Sequence, residues 1–560
     1  MTLVRRFRVE FQADRRAKLP NLDMRKVSWS TVSPEGPHPA GAASSVARTA
    51  TFASPSVGST LDVSLLRYAF SFPAMLGVLL VGAAFVVARK FPVDPDVWWH
   101  IKTGEILLNS HQWPTTDAYS FTVPGQPWIA GEWLGDVLIG FVARLGGLQG
   151  LDVLLIVLAS AIMLALYGYA TLRSQNSKVG FVVAAVLFTL AAPQFTLRPQ
   201  MLGYLFLILT LIALERFRQG KRGAIWLLPA LFVLWVNAHG SFVIGIGAIV
   251  VHLLSGLFAF EVGTVESRRW TVAERLQLEA VLLLSIVALN ITPYGSQLAL
   301  YPFHVASSLP VGVANVKEWQ PIPFNLDQGK IFLALILFFF LSMALLRFKL
   351  RLEEIVLIVG GTVMACLHLR FLLVFVPVFT AGLSVALGQW VPQYDRSKDR
   401  VILNAAVITL ALAGIIHYFP SRAALEQTVG DHFPVSAVEY LQQHRVPGPM
   451  FNSYGFGGYL VWAGQRVFVD GRADPYERGG SLADYFYIMQ VRPGALTVLR
   501  NYGIQSCLLD RTEPLVTLLS ATPQWQQVYQ DNLSVLFVRR DPQVNEAELP
   551  SNPSMPGQKE

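Results

Sequence analysis

The sequence predicts a polytopic α-helical membrane protein with a small α/β domain at its C-terminal end. Of its 560 residues, 53% are hydrophobic and only 14% are charged, whereas a soluble protein carries roughly a quarter charged residues. The apolar residues also form long blocks, each close to the ~20 residues that a helix needs to cross a bilayer. Beyond residue 419 the pattern changes, and strand-like runs alternate with helical ones.

Apolar blocks predict about eleven membrane crossings. They lie near residues 67–89, 149–172, 179–197, 201–217, 224–238, 240–262, 278–293, 330–347, 353–369, 371–390 and 401–418. Connections rich in Lys and Arg, such as "RFRQGKR" and "ESRRWTVAER", alternate with connections that carry few cations. Since cytoplasmic loops carry the excess of cations, we expect a plasma (inner) membrane protein with a cytoplasmic N-terminus. We interpret "WLGDVLIGFVARLGG" (133–147) as an interfacial helix, because it is short for a crossing.

The same reasoning divides the chain into four parts. Residues 1–60 are rich in Arg, Ser, Pro and Gly and predict a disordered cytoplasmic tail, and no signal-peptide core precedes the first apolar run. Residues 61–418 form the transmembrane domain, with outer loops at 90–148 and 294–329. Residues 419–545 predict an extracytoplasmic α/β domain with strands at "VFVDG", "SCLLD" and "SVLFVRR", and 546–560 predict a loose tail.

Charge and cysteine content exclude several functions. The net charge of +7 follows from the cationic cytoplasmic loops, and no soluble segment combines a basic face with interleaved aromatics, so we expect no nucleic-acid partner. Cys366 lies in an apolar block and Cys507 near the C-terminus. They are predicted in different compartments, which supports neither a disulfide nor a cysteine-based metal site.

The stretch "DPDVWWHIKTGE" concentrates ionisable groups where the chain leaves the first predicted span. A structural interpretation accounts for it as a helix start. Asp94 suits the N-cap, Pro95 the first helical position and Asp96 the first turn, where the helix dipole favours an anion. Trp98 and Trp99 would then be anchors at the membrane interface.

A chemical interpretation of the same stretch stays open beside it. On a helix, Asp96 and His100 are four residues apart and share a face. Such a pair can act as a base or hold a divalent cation such as Mg²⁺ or Mn²⁺. If the segment starts extended, Asp94 and Asp96 point to the same side, as a metal-binding D-x-D requires.

The rest of the first outer loop adds acids and aromatic rings. "SFTVPGQPWIAGEWLGD" returns Trp128, Glu132, Trp133 and Asp136 to the same interface. The two acids are four residues apart, which also fits the solvated face of an amphipathic helix. Aromatic planes beside carboxylates are typical of sugar binding and glycosyl transfer, because the ring stacks on the sugar and the carboxylate accepts a proton.

Cationic and imidazole groups recur at the predicted outer ends of later spans. Arg198 in "FTLRPQM", His239 in "WVNAHGSF" and Arg370 in "HLRFLL" each sit between apolar blocks. Lys317 lies in the outer loop 294–329, whose prolines and aromatics suit a segment packed over a cavity. An Arg at a helix end can snorkel without function, but cations can also stabilise a departing lipid phosphate.

The C-terminal domain contributes one further charged cluster. Asp470, Arg472 and Asp474 in "VFVDGRADPY" follow a predicted strand. Charges at strand ends can face a ligand, but we favour a structural Asp–Arg network here.

These features together resemble the GT-C superfamily of membrane glycosyltransferases. The resemblance rests on the acidic motif after the first span, the predicted interfacial helix, the number of spans and the outer C-terminal domain. Bacterial multi-pass membrane proteins also resemble this chain in having "DPDVWWHIKTG", "GEWL", "LRPQ", "NAHGSF" and "FNSYGFGGYLVW…VFVDGRADPY" in this order. The resemblance implies transfer of a sugar from a polyprenyl-phosphate donor at the outer face of the membrane.

It also implies that an acidic residue of the first loop acts as base or metal ligand, which corresponds to Asp96, with Asp94 as the alternate. We expect Glu132 to bind the acceptor. The expected substrate-binding residues are His100, Trp98, Trp99, Arg198, His239, Lys317 and Arg370, of which the three cations would contact the lipid phosphate. The alternative is a transporter or an envelope-assembly scaffold without enzymatic activity.

Overall fold

The computed structural model describes residues 60–89, 94–308 and 310–540. Both predicted tails lie outside these residues, apart from Thr60. Each predicted span coincides with one helix of the described chain. These helices are Phe72–Ala88, Trp133–Ser174, Ser177–Ala191, Gln200–Arg218, Leu228–Ala238, Phe242–Ser255, Val272–Ala288, Asp327–Leu346, Leu352–Leu367, Leu372–Gly388 and Val401–His417, with Thr60–Ala69 before them.

Length and composition qualify only some of these helices as full membrane crossings. Five apolar stretches in the described chain are long enough to cross a bilayer, or six if Val401–His417 and the bent continuation Arg422–His432 are one span. Phe72–Ala88 and Phe242–Ser255 are apolar but shorter. The helices are therefore those of a membrane protein, while the count of about eleven crossings stays a prediction.

Local sequence signals set several helix starts. The Ser71 hydroxyl accepts a hydrogen bond from the Ala74 N–H (3.4 Å) just before the helix Phe72–Ala88. Thr271 and Glu274 form a capping box at the start of Val272–Ala288. Such caps satisfy N–H groups that have no partner inside the helix.

The first outer loop contains a helix of its own, Val97–Ser110. It is followed by an extended segment and then by the 42-residue helix Trp133–Ser174, which is interrupted at Gly147 (φ 55°, ψ −143°). Glycine tolerates this positive φ because it lacks a Cβ. The predicted interfacial helix 133–147 is thus the first part of a longer helix and ends at its break.

The second outer loop folds over the C-terminal region. It consists of the helices Ser296–Ser308 and Pro310–Asn315 and the 3₁₀ turn Lys317–Trp319. The carboxylate of Glu477 accepts hydrogen bonds from the backbone N–H groups of Val311 and Gly312, both at 2.8 Å. These contacts fix the loop against the C-terminal region.

A small sheet at the other end of the helices was not predicted. Strands β1 (Phe260–Val262), β2 (Val265–Ser267) and β3 (Leu350–Arg351) lie in the order β1-β2-β3. β1 pairs antiparallel with β2, and β2 pairs parallel with β3. A strand of two residues is too short to give a periodic sequence signal.

The C-terminal region has the predicted α/β character. Strands β4 (Met450–Asn452), β5 (Ser506–Asp510), β6 (Trp525–Gln530) and β7 (Ser534–Arg539) form a sheet in the order β4-β5-β7-β6, with β4 parallel to β5. Its helices are Arg422–His432, Val435–Gln443, Gly457–Trp462, Asp474–Arg478, Ser481–Met489, Ala495–Asn501 and Pro514–Ser520. The predicted strands in "SCLLD" and "SVLFVRR" are confirmed.

The predicted strand in "VFVDG" is wrong. Val467 forms only an isolated bridge to Ser120. Its backbone N–H donates to Tyr119 and its carbonyl accepts from Phe121, both at 3.2 Å. The segment therefore pairs with the first outer loop and not with the sheet, which propensity alone does not reveal.

The first outer loop and the C-terminal region share one core. Trp98 is 3% exposed and packs against the rings of Phe433, Tyr459 and Trp462, with centroid distances of 4.9–5.3 Å. A Cβ at Gly458 would lie 2.1 Å from the carbonyl oxygen of Pro95, so only glycine permits this approach. The described residues accordingly form one compact unit.

Candidate functional site

A cavity of about 210 Å³ lies between the two outer loops, the helix ends beside them and the C-terminal region. Its ionisable lining residues are Asp96, His100, Glu132, Asp136, Arg198, His239, Glu318, Arg370, Arg472 and Asp474. Its aromatic lining residues are Trp99, Trp128, Tyr301, Trp319 and Tyr454. Acids of the first outer loop and arginines from much later in the chain therefore meet at one place, as the sequence predicted.

Arg198 is the centre of the ion pairs in this cavity. It immediately precedes Pro199, the N-cap of the helix Gln200–Arg218. Its Nε donates to Asp94 Oδ2 at 2.5 Å, and its Nη1 lies 3.0 Å from Asp96 Oδ2 and 3.4 Å from Glu318 Oε2. One guanidinium thus faces three carboxylates.

Asp94 is buried beside the cavity and positions two of its residues. Its side chain is 3% exposed, and its Oδ1 accepts the backbone N–H of Asp96 at 2.9 Å. The helix begins at Val97 with Asp96 as N-cap residue, so the predicted N-cap role of Asp94 is wrong by two positions. The residue that precedes Pro95 is kept out of helical conformation, and its carboxylate positions Asp96 and Arg198.

Asp96 faces the cavity. A Cβ at Gly471 would lie 1.7 Å from its Oδ1, so the C-terminal region approaches this carboxylate closely because residue 471 is glycine. Burial raises the pKa of Asp96 to about 7, against the opposing effect of Arg198 and with a smaller contribution from Asp94. A carboxyl group with this pKa exchanges a proton near neutral pH.

Glu132 lies between two imidazoles. Its Oε1 is 3.3 Å from Nε2 of His239, and its Oε2 is 3.9 Å from Nε2 of His100. His239 Nδ1 accepts the backbone N–H of Ser241 at 3.1 Å, so in the neutral ring the proton is on Nε2, the nitrogen that faces Glu132. His100 Nδ1 in turn contacts Asp136 Oδ1 at 2.6 Å.

Burial sets the protonation of this group. It raises the pKa of Glu132 to about 7, although Arg370 and Arg198 act in the opposite direction. It lowers the pKa of His239 to about 3 and holds the pKa of His100 well below its usual value, with nearby arginines contributing to both shifts. Both imidazoles are therefore neutral at physiological pH, and no Lys or Arg of the described chain lies within ion-pair distance of Glu132.

Arg370 reaches the cavity from the turn Leu369–Phe371. Its guanidinium lies 4.1 Å from the ring centroid of Trp319 and 3.6 Å from a Glu318 oxygen. Lys317, the predicted cation of this loop, does not line the cavity, whereas Glu318 does. Adjacent residues of a turn point in different directions, and the sequence did not show which one faces inward.

The two predicted tryptophans have different roles. Trp99 lines the cavity and its ring lies 3.6 Å from the His100 ring. Trp98 is packed in the core shared with the C-terminal region, so its predicted roles as interface anchor and substrate contact are wrong. Anchors and buried aromatic side chains look the same in sequence, because both are large and amphipathic.

Of the cluster in "VFVDGRADPY", Asp470 and Arg472 form the predicted structural pair, whereas Asp474 pairs with Arg478 and lines the cavity. Arg472 pairs with Asp470 at 2.6 Å and with Asp117 of the first outer loop at 2.7 Å. The hydroxyl of Tyr476 donates to Asp470 at 2.6 Å. Sequence reasoning missed Asp117, because nothing in its local pattern indicates a partner some 350 residues away.

Sequence reasoning also missed Tyr301 and Glu318 as cavity residues. Tyr301 lies on the helix Ser296–Ser308 and its hydroxyl donates to Asp474 at 3.1 Å. Both belong to the loop that was predicted to cover a cavity, but single polar residues in such a loop carry no distinguishing signal.

The acidic pair of the motif does not fit a divalent cation in this arrangement. Asp94 and Asp96 both face the guanidinium of Arg198, which takes the place of a cation between them. Within residues 60–89, 94–308 and 310–540, no three His, Cys, Asp or Glu side chains form a group that could hold a metal ion.

No family model matches the sequence, and comparison with curated proteins finds no match. Several solved structures are similar to the chain. The archaeal oligosaccharyltransferase AglB from Archaeoglobus fulgidus, in complex with an inhibitory peptide and a dolichol-phosphate, has 11% identity over 78% of this chain and 69% of its own, with a TM-score of 0.43.

ArnT from Cupriavidus metallidurans, bound to undecaprenyl phosphate, has 14% identity over 86% of this chain and 98% of its own, with a TM-score of 0.44. The arabinofuranosyltransferase AftD from Mycobacteria has 16% identity over 82% of this chain and 41% of its own, with a TM-score of 0.44. All three are glycosyltransferases of the GT-C superfamily, which the sequence motifs resemble.

Proposed function

We propose that this protein is a membrane glycosyltransferase that moves a sugar from a polyprenyl-phosphate-linked donor to an acceptor at the outer face of the membrane. One observation carries the proposal. A single cavity at the ends of apolar helices combines carboxylates able to take a proton, Asp96 and Glu132, with the guanidinium of Arg370 and several aromatic planes. Base, cation and stacking surface are the groups that such a transfer uses.

In the proposed reaction, an acceptor hydroxyl oxygen bonds to the anomeric carbon while the bond from that carbon to the phosphate oxygen breaks. Asp96 accepts the proton of the hydroxyl, and the bonding electrons leave with the lipid phosphate. The pKa of about 7 supports Asp96 in this role, because a base works best when its pKa is near the working pH. Glu132 and the neutral imidazoles beside it bind hydroxyl groups of the acceptor.

We assign the lipid phosphate to Arg370. Arg198 already faces three carboxylates, whereas among the residues that the structure describes Arg370 has only Glu318 within ion-pair distance, at 3.6 Å. A phosphate beside Arg370 would gain charge-assisted hydrogen bonds. Arg198 would then act mainly by holding Asp96 in place.

We propose that the reaction needs no resident divalent cation at Asp94 and Asp96. The support is the guanidinium of Arg198 between the two carboxylates. Transfer activity should therefore be unchanged after dialysis against EDTA. A loss of activity that Mg²⁺ or Mn²⁺ restores would contradict this part of the proposal.

A non-enzymatic scaffold is less well supported. A scaffold predicts outer carboxylates that point to bulk water, whereas Asp96, Glu132 and Glu318 converge on an internal cavity with two arginines. A transporter predicts inverted repeats with broken helices at mid-membrane, and the sequence shows no such repeat.

The test is transfer from labelled polyprenyl-phosphate sugars by the purified protein, with cell-envelope extract as the source of acceptors. Asp96→Asn should lower the transfer rate about 10²–10⁴-fold, the range that a general base contributes, without lowering the melting temperature. Asp327→Asn is the matched control, because Asp327 has a side chain that is 94% exposed and lies outside the cavity. An unchanged rate in Asp96→Asn would remove Asp96 from the mechanism, and no transfer from any such donor would contradict the proposed function.

A further inference from the structure

A second cavity of about 460 Å³ lies far from the outer one. The helix Gln200–Arg218 starts beside the outer cavity and ends with Arg218 in the wall of the second one, a distance of about 28 Å at 1.5 Å per residue. The second cavity is bordered by the sheet of β1, β2 and β3. Its volume is within the ~300–1,000 Å³ range of ligand pockets.

Two of the arginines that line this cavity are held in place by ion pairs. Arg218 pairs with Glu353 at 2.6 Å, and its guanidinium lies 3.8 Å from the centroid of the Trp270 ring. Arg351 pairs with Glu215. These charges are balanced inside the protein, so they give the cavity its shape more than its net charge.

The remaining arginines leave an excess of positive charge at the entrance. Arg268 and Arg222 share a single carboxylate, that of Glu274, at 3.3 and 3.5 Å. Arg269 lines the cavity and is exposed, and no residue of the described chain forms an ion pair with it. Two acids also line the cavity, Glu261 and Glu266. Glu261 is paired with Lys349, and Glu266 together with Glu274 offsets two of the three positive charges, which leaves an excess of one.

Four exposed apolar side chains lie beside these cations and form an apolar margin of the cavity. Leu257, Phe258, Phe260 and Val262 are 41%, 55%, 38% and 68% exposed, respectively, and Phe260 also lines the cavity. Exposed aliphatic and aromatic side chains next to a cationic pocket favour a ligand that has both an anionic group and a hydrocarbon part.

We propose that this cavity binds the phosphate-bearing head group of an anionic phospholipid, with Arg268 and Arg269 as its principal contacts and the acyl chains along the apolar margin. The positive-inside pattern predicts that this end of the helices faces the cytoplasm. That leaflet carries the anionic lipids, and basic pockets beside membrane helices are suited to their head groups. The proposal does not depend on the function assigned to the outer cavity.

The test is native mass spectrometry of the purified full-length protein in detergent, titrated with phosphatidylglycerol. The double variant Arg268→Gln/Arg269→Gln should bind the lipid about 30-fold more weakly, given the contribution of each cation near an anionic surface. Arg396→Gln/Lys398→Gln removes the same charge from another exposed connection on the predicted cytoplasmic side and should have no effect.

Three results would contradict the proposal. Equal weakening in both double variants would show that the lipid follows total surface charge and not this cavity. Equal binding of phosphatidylcholine would show that the anionic head group is not recognised. Displacement of the lipid by millimolar inorganic phosphate would show that the site takes a free phosphate ion instead.

Discussion

The two ends of the helix bundle carry buried charges in different arrangements. At the end away from the outer cavity, the buried guanidinium groups are balanced by buried carboxylates. Arg173 binds Glu354 through two hydrogen bonds of 2.5 and 3.2 Å, and the pairs Arg218–Glu353 and Arg351–Glu215 lie beside it. Around the outer cavity, carboxylates outnumber guanidinium groups, and the side chains face open space.

The difference separates charges that maintain the fold from charges available for chemistry. A buried ion pair is tolerable when both partners are satisfied, and it is costly to break. A carboxylate that is buried beside a cavity and shares its cation with other carboxylates, or has none in contact, keeps a raised pKa and can exchange protons. We therefore expect substitutions at the balanced end to change stability and substitutions at the outer end to change activity.

The largest effect should come from breaking an ion pair at the balanced end. Glu354→Gln leaves Arg173 and Arg351 without their shared carboxylate and should lower the free energy of unfolding by about 3 kcal/mol or more. Denaturant titration in mixed micelles measures this. Glu426→Gln, in the exposed pair with Arg422 (side chains 52% and 80% exposed), is the control and should change stability by less than about 1 kcal/mol. Equal effects of the two variants would contradict the distinction between the ends.

A smaller effect is expected when the outer end loses its phosphate-facing cation. Arg370→Gln should raise KM for the lipid-linked donor about 10–100-fold, because a hydrogen bond to a charged group contributes about 1.5–3 kcal/mol. The melting temperature should stay the same. Arg144→Gln removes an exposed arginine of the predicted outer side and should leave KM unchanged. If Arg370→Gln instead unfolds the protein without changing KM, then Arg370 belongs with the structural charges.

The pH dependence of the transfer rate and of stability should be the smallest of the three effects. It also distinguishes the two properties most clearly. Asp96 and Glu132 have pKa values raised to about 7, so the proton-accepting form of Asp96 is lost below that pH. The transfer rate should fall about tenfold per pH unit below 7. A carboxyl group with a raised folded-state pKa stabilises the fold most at low pH, and this contribution is lost as the pH rises through about 7.

Activity and stability should therefore change in opposite directions between pH 5 and 8. Initial rates and denaturant titrations on the same samples measure both. The Asp96→Asn variant lacks the carboxyl group of Asp96. Its contribution to the pH dependence of the free energy of unfolding should therefore disappear. An activity that does not vary between pH 5 and 8 would contradict the assignment of Asp96 as base.

The sequence predicted the features that depend on periodicity and composition. The apolar blocks located each long helix, and the acids of the first outer loop were expected to meet Arg198 and Arg370. It did not predict features that depend on side-chain direction or on distant pairing. Lys317 was chosen where the neighbouring glutamate faces the cavity, and Trp98 was placed at the membrane surface although a distant domain buries it.

The strand predicted in "VFVDG" failed for a related reason. Its β-branched and aromatic residues fit a sheet, but the neighbouring backbone belongs to the first outer loop, which is more than 300 residues earlier in the chain. Local propensity describes how a segment can pair and not which partner it finds. The small sheet of β1, β2 and β3 was missed because strands of two or three residues are too short to show a recognisable alternation.

The burial of Trp98 among aromatic side chains of the C-terminal region has a consequence for protein engineering. A chain cut before residue 419 would leave this indole without its cover, and residue 471 would no longer confine the carboxylate of Asp96. The two halves should therefore be exchanged together in any chimaera between related proteins. A hybrid that joins the membrane half of one protein to the outer half of another would need aromatic side chains in the outer half that pack around that single tryptophan.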